Sequence, residues 1–278
     1  MITPDQPSLL YQTHVRVHLQ NIRSNIEGIR QAIGGQRKIL IAVKANAYGH
    51  GAIEVSRMAE KMGVDWLGIA TVPEGIELRD AGITLPILKF SPAFPQEMRA
   101  ALQNDITLAV CEQNNIERLN EIAAETGREC NVHLKVDTGM GRIGVTPNEA
   151  PQLALFIEKE CPNLSLDGVF THLPVSDLAD IAYTQHQVDL FASTVAGIQN
   201  AIGRKIALVH CANSGGVLAH PASWFDMVRP GIMIYGFYPG SETTRSIELK
   251  PGLSFISRVS FIKKRSEERR VGKECRSR

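Results

Sequence analysis

The stretch Ile39-Leu-Ile-Ala-Val-Lys44-Ala-Asn-Ala-Tyr48-Gly-His-Gly51 opens as a run of apolar β-formers and breaks into small residues and glycines. A run like this reads as a strand buried on both faces. Lys44 stands where the strand runs out, and an amphipathic helix begins just beyond. A lysine desolvated there has its pKa lowered from about 10.4, which frees an amine near neutral pH. That is what a Schiff-base lysine requires. The alternative is an ordinary lysine emerging from a strand into solvent.

Working outward, strands and helices alternate. Before the quoted stretch, Thr13–Leu19 alternates polar and apolar residues as a half-exposed strand does. Ile22, Ile26, Ile29 and Ile33 then mark a helix that Gly34-Gly35 ends. After it, strands are expected at Trp66–Ala70, Leu85–Phe90, Ile106–Val110, Cys130–Val136, Leu164–Thr171, Ile206–His210 and Asp226–Val228, with helices between them. Counting Ile39–Val43, that makes eight strands. Eight such units over about 200 residues fit a closed (β/α)8 barrel of the TIM type. An open doubly wound sheet would carry a G-x-G-x-x-G after its first strand and gather its polar motifs at one switch point. Neither feature is present.

Beyond Gly236 the texture changes. Tyr238–Lys250 is polar and turn-rich, and Leu253–Ile262 reads as a strand with no helix after it. The expected organisation is an N-terminal segment and strand (1–19), a barrel (20–236) and the start of a C-terminal β-domain that is cut short (237–264). The tail (265–278) lacks apolar periodicity and resembles a sequencing adapter read as protein, so it is expected to be artefact. Thr13–Leu19 is expected to be left as an unpaired edge strand.

Composition narrows the classes. Hydrophobic residues make up 44% and charged residues 21%, with a formal net charge of +1. A packed core is expected, and no global field points to nucleic acid or membrane as partner. There is no apolar run of membrane-spanning length and no leader-like h-region. The five cysteines are scattered without metal spacing, as in a reducing cytoplasm.

A barrel keeps its active site at the C-terminal ends of its strands. Read in order, those ends collect Lys44 and Tyr48, then Lys135, Asp137 and Arg142, then His172, then Asn213 and Ser214, and last Arg229, Gly231 and Ile232. Arg142 lies on a glycine-rich turn and is suited to a carboxylate or phenolate. His172 is either a satisfied structural histidine or one that stacks on a planar ring. The loops after strands seven and eight are where barrels cradle phosphate. His133 and His210 sit within strands and read as core. A reactive lysine, a phosphate cradle and a ring-stacking histidine are together the parts of a pyridoxal phosphate site.

Here a family resemblance becomes specific. Ala42-Val-Lys44-Ala-Asn-Ala-Tyr48-Gly-His-Gly51 is similar to the cofactor-lysine signature of the alanine racemase family, the fold-type III pyridoxal phosphate enzymes. Lys135–Gly144, Thr171-His172, Ala212-Asn213-Ser214 and Met227–Gly236 resemble that family's further blocks, in its order. The resemblance implies that Lys44 holds pyridoxal 5'-phosphate and acts as base on one face of Cα. It implies that Tyr48, Ser214, Gly231 and Ile232 bind the phosphate. Arg142 would contact the phenolate and the substrate carboxylate, and Lys135, carbamylated in some members, would orient it. His172 would stack on the ring, Asn213 would support the site, and Arg229 would face the ring nitrogen. The second base is implied to be a tyrosine from the partner subunit's C-terminal domain in a homodimer. Tyr235 and Tyr238 do not match that motif. The implied activity is interconversion of L- and D-alanine. A serine or broad-specificity racemase and a single-domain pyridoxal phosphate carrier are the alternatives.

Overall fold

The computed structural model describes residues 11–263; the expected artefactual tail at 265–278 lies outside them. Two compact units are present: the first includes the described residues up to Val17 and those from Leu253, and the second is His18–Gly252.

The second unit begins with α1 (Leu19–Ile33), which buries Ile22, Ile26, Ile29 and Ile33 along one face. Their spacing of three and four residues forms the apolar stripe of an amphipathic helix, and Gly34, at φ 80°, ends it. Strand β2 (Lys38–Ala42) follows, fully buried from Ile39 onward. The chain then alternates in order: α2 (Lys44–Gly49), α3 (Ala52–Lys61), β3 (Trp66–Ile69), α4 (Val72–Asp80), β4 (Ile87–Lys89), α5 (Pro95–Gln103), β5 (Ile106–Val110), α6 (Gln113–Thr126), β6 (Cys130–Lys135), α7 (Ala150–Glu160), β7 (Leu164–Phe170), α8 (Ala182–Ile202), β8 (Leu208–His210), α9 (Ser214–Ala219) and β9 (Met227–Val228).

Strands β2 to β9 form one eight-stranded sheet in the spatial order 8-7-6-5-4-3-2-9. Every ladder in it is parallel. Backbone bonds from Asp226 to Val209 (3.0 Å) and from Arg229 to Ala212 (2.8 Å) join β9 to β8 and close the ring. The fold is therefore a (β/α)8 barrel, without the order reversal of a doubly wound sheet. Leu40, Trp66, Leu88, Leu208 and Met227 pack together as a core cluster. The unit continues to Gly252, so the boundary expected at Gly236 falls inside it.

The first unit holds β1 (His14–Val17) and β10 (Leu253–Ile256), paired antiparallel from His14↔Ile256 to Val17↔Leu253. Thr13 and Ser257 extend the pair with a hydroxyl–hydroxyl bond of 2.8 Å. This corrects the expectation of an unpaired edge at Thr13–Leu19: β1 finds a distant partner whose alternation matches its own. The strand expected to reach Ile262 stops at Ile256.

The segment labelled α2 is left-handed. Ala45, Asn46, Ala47 and Tyr48 all have φ between 51° and 54°. L-residues there cost about 1–2 kcal/mol each. Such strain persists only where surrounding contacts over-determine it. Ala47 N–H donates to Val43 O (2.7 Å), Ala52 N–H donates to the Asn46 side chain (2.8 Å), and the His50 ring bonds the Ala47 and Tyr48 carbonyls. Nothing in Ala-Asn-Ala-Tyr announces four consecutive left-handed residues, since glycine is the usual occupant.

One substitution tests the strain. Ala45→Gly is expected to leave stability unchanged or raise it by up to about 1 kcal/mol, because glycine adopts this conformation without penalty. The same change at exposed Ala192, inside α8, is expected to cost about 0.5–1 kcal/mol. Urea unfolding of the two variants reads the contrast, and equal losses would show that the turn is unstrained.

Candidate functional site

Of the eleven residues singled out at strand ends, ten line one cavity of ≈ 250 Å3 at the C-terminal face of the barrel: Lys44, Tyr48, Lys135, Arg142, His172, Asn213, Ser214, Arg229, Gly231 and Ile232; Asp137 does not line it. Each stands at its strand end or on the loop that follows it, so the barrel itself gathers them.

Lys44 is separated from the end of β2 by Val43 and is half-buried. Its Nζ lies 5.9 Å from the centre of the Tyr48 ring. The burial argument that singled out Lys44 applies more fully to Lys135, the last residue of β6, which is 4% exposed. Its pKa is pushed down to about 7, first by burial and then by Arg229 and Arg142. Its Nζ sits 4.6 Å above the Phe170 ring. A third strand-end lysine, Lys89, is also buried, but for a structural purpose. Its ammonium is spent on Ser91 O (3.2 Å), Ser91 Oγ (3.1 Å) and Pro92 O (2.9 Å).

Arg142 rides on a loop built by Asp137. That carboxylate accepts the backbone N–H groups of Gly139 (2.9 Å), Met140 (2.8 Å) and Arg142 (3.1 Å). Gly144 closes the loop at φ 143°, where a Cβ would meet Asp137 N at 2.5 Å. From α8, Tyr183 donates to Gly139 O at 3.1 Å and braces the turn.

Arg229 is buried, and both terminal nitrogens of its guanidinium are hydrogen-bonded. It donates to His210 Nδ1 (3.0 Å), Thr171 O (2.6 Å) and Cys211 O (3.2 Å). Burial lowers its pKa to about 10, so it remains cationic at neutral pH. A guanidinium can only donate, so His210 accepts at Nδ1 and carries its proton on Nε2. That proton goes to His133 Nδ1 at 2.9 Å. The two histidines read as core are indeed fully buried. Their link to Arg229 had no signal in a single sequence, nor did the Phe170 ring stacked on His210 at 5.0 Å.

Burial, then the charge of Arg229, pushes the His133 pKa down to about 3 and that of His210 well below its ordinary value. A histidine kept neutral in the fold lets the unfolded chain bind more protons below pH 6.5. Stability is therefore expected to fall as pH drops from about 6.5 toward 3, by about 1.4 kcal/mol per unit for each such histidine. Urea midpoints at pH 7 and pH 5 read this, and equal midpoints would show that both rings are protonated in the fold. His172, at the cavity wall, is likewise held neutral, at about 3, by burial and then by Arg229, Lys135, Arg142 and Lys44.

At the other end of the cavity, Asn213 ties loops together. Its Oδ1 accepts from Gly216 N (3.0 Å) and Ser176 Oγ (2.6 Å), and its amide donates to Leu173 O (2.7 Å). Ser214 Oγ accepts from Gly231 N at 3.0 Å. A Cβ at Gly231 would lie 3.1 Å from the Tyr48 hydroxyl, so glycine makes room for the phenol. The cavity wall also includes Ser176, Asp177 and Pro239, on loops whose sequence gave no reason to select them. Four cationic side chains, Lys44, Lys135, Arg142 and Arg229, face one carboxylate, Asp177. Such a wall suits a ligand with more than one anionic group. Among the described residues no helix is long and apolar enough to cross a membrane.

A family model described as the alanine racemase N-terminal domain matches residues 17–239. The alanine racemase of Cutibacterium acnes is 44% identical over 253 residues, covering 90% of this chain and 66% of that protein. That of Treponema denticola is 42% identical over 255 residues, covering 91% and 67%. Among solved structures, alanine racemase of Clostridium difficile in complex with cycloserine superposes with a TM-score of 0.88 at 36% identity, covering 92% of this chain and 71% of that one. The Bacillus anthracis enzyme with bound L-Ala-P gives 0.82 at 31%, covering 90% and 64%. The chain spans about two thirds of the length of the curated relatives it matches. On the matched barrel and on the identity to these relatives, the chain belongs to the alanine racemase family.

Proposed function

We propose that this chain binds pyridoxal 5'-phosphate and serves the interconversion of L- and D-alanine, as the names of its relatives suggest. The observation that carries the reading is the meeting of Lys44 with a cation-rich cavity in a family of alanine racemases. The residues present fit the cofactor. The phosphate would meet the Tyr48 hydroxyl, Ser214 Oγ and the amides of Gly231 and Ile232, beside Gly231, where a Cβ would crowd the Tyr48 hydroxyl at 3.1 Å.

When bound, pyridoxal phosphate supplies an electron-withdrawing ring system that acidifies the Cα–H bond of an amino acid. The chain supplies the rest. Lys44 would hold the cofactor and then take or return the Cα proton at Nζ from one face. Arg142 would bind the substrate carboxylate, as a guanidinium fork does. Lys135, with a pKa of about 7, is half neutral near pH 7 and so opposes the Arg142 charge only in part. His172, held neutral, would lie flat on the ring. Arg229 would face the ring nitrogen, donating a hydrogen bond while keeping its proton. By keeping its proton, Arg229 would leave the ring uncharged and a weaker electron sink, which would favour prompt return of the Cα proton over side reactions. The base for the opposite face would come from a second copy of the chain in a homodimer. The β1–β10 pair would be the root of the domain that carries it.

Proton exchange in D2O tests the reading without needing that second base. With pyridoxal phosphate present, one enantiomer of alanine is expected to lose its Cα proton to solvent faster than the other. Capture of the cofactor with no exchange at either enantiomer would sink the reading.

A further inference from the structure

Glu74 stands at the start of α4, in the barrel unit next to that of Lys44. Its carboxylate takes three backbone amides. Oε1 accepts from Ala45 N at 2.7 Å, and Oε2 accepts from Ala70 N at 2.8 Å and Thr71 N at 3.1 Å. Ala70 and Thr71 are the residues just after β3, and Ala45 follows Lys44 directly. The amide held by Oε1 thus belongs to the peptide that Lys44 shares with Ala45.

We propose that Glu74 is a positioning residue for Lys44, clamping the left-handed turn that aims the lysine and Tyr48 into the cavity. The proposal rests on the reading of Lys44 as the cofactor lysine. Three observations support it. First, the turn is strained over four residues and needs outside contacts to persist. Second, Ala42 and Gly68 are partners in the β2–β3 ladder, and Val43 N–H donates to Gly68 O at 2.9 Å. Glu74 continues that link past the end of both strands, where the ladder has stopped. Third, the chemistry requires a carboxylate. Both oxygens accept, and a glutamine presents one acceptor where two are used.

The fold carries its own control. Glu97 occupies the same third position of α5 and accepts from Phe94 N at 3.1 Å; it also lies 3.9 Å from the Lys89 ammonium and makes no bond to the Lys44 turn. If Glu74 were only a helix cap, Glu74→Gln, like Glu97→Gln, would lower stability without slowing capture at Lys44.

The test compares wild type, Glu74→Gln, Glu74→Asp and Glu97→Gln, each mixed with pyridoxal 5'-phosphate. Visible absorbance gives the rate of adduct formation. Borohydride reduction and peptide mass spectrometry give the share of adduct on Lys44, and thermal melting gives stability. Glu74→Gln and Glu74→Asp are expected to form the Lys44 adduct about tenfold more slowly, the usual scale for losing one charged hydrogen bond. Glu97→Gln is expected to keep the wild-type rate while melting lower. If Glu74→Gln does not fold, Glu74→Asp carries the comparison, because it keeps a carboxylate at the helix N-terminus. A wild-type rate in the Glu74 variants, or an equal slowing in Glu97→Gln, overturns the proposal alone. No Lys44 adduct in wild type overturns the cofactor reading and the proposal with it.

Discussion

Replacing Lys44 by alanine is expected to abolish covalent capture of pyridoxal phosphate and, with it, Cα proton exchange. Two other lysines stand at strand ends nearby, so the outcome is not trivial. Lys89 is excluded by its bonds, since its ammonium is held by three oxygens. Lys135 is the serious rival. With a pKa pushed down to about 7, it presents more free amine at neutral pH than an ordinary lysine does. Position decides against it. Lys135 lies over the Phe170 ring between Arg142 and Arg229, where the wall is suited to anionic groups. Lys44 lies beside Tyr48, which approaches Gly231. Absorbance and peptide mass after borohydride reduction read the result. An undiminished adduct in Lys44→Ala, located on Lys135, would reverse the assignment.

Replacing Arg229 by methionine is expected to be the most damaging single change to the barrel's stability. The substitution keeps an unbranched stem and removes every donor. Thr171 O, Cys211 O and His210 Nδ1 are then left buried without their partner. Stranding buried polar groups costs about 1–3 kcal/mol each, and truncating one partner of a buried charged network about 3–5 kcal/mol in all. Against a typical total of about 5–15 kcal/mol, that is a large fraction. Arg229→Lys is expected to recover only part of it, because an ammonium cannot span acceptors set for a planar fork. Urea unfolding at pH 7.5 measures both. A loss below about 0.5 kcal/mol in Arg229→Met would show that the three acceptors are satisfied in other ways.

What could be read from the residues alone divides along physical lines. The barrel was legible because each strand is a short apolar run and each helix repeats its apolar residues every three or four positions, as Ile39–Ala42 and Ile22–Ile33 do. The ten site positions were legible because a barrel places strand ends together, whatever the loops do. Family likeness then supplied their roles. Contacts made by ordinary residue types in unusual geometry escaped. Glu74 looks like a routine third residue of a helix, and its bond to Ala45 depends on a left-handed turn that Ala-Asn-Ala-Tyr does not advertise. His133 and His210 were placed correctly in the core, yet the bond between them and that of His210 to Arg229 arise only when β6, β8 and β9 close the ring. The pairing of β1 was missed for a related reason. Alternation marks a strand without saying which distant segment will meet it.

That pairing bears on how the chain folds as it is made. His14–Val17 leaves the ribosome early, and its ladder partner, Leu253–Ile256, is synthesised some 240 residues later. At about 5–20 residues per second, that gap lasts on the order of 10 seconds or more. Apart from the closing pair β2–β9, Lys38 with Met227, the barrel strands meet partners much closer in sequence, such as Leu40 with Trp66. Contacts of low sequence separation form first, since less chain entropy is lost in closing them. The nascent chain is therefore expected to complete its ring of parallel strands while its first strand still waits, exposed, for the last one.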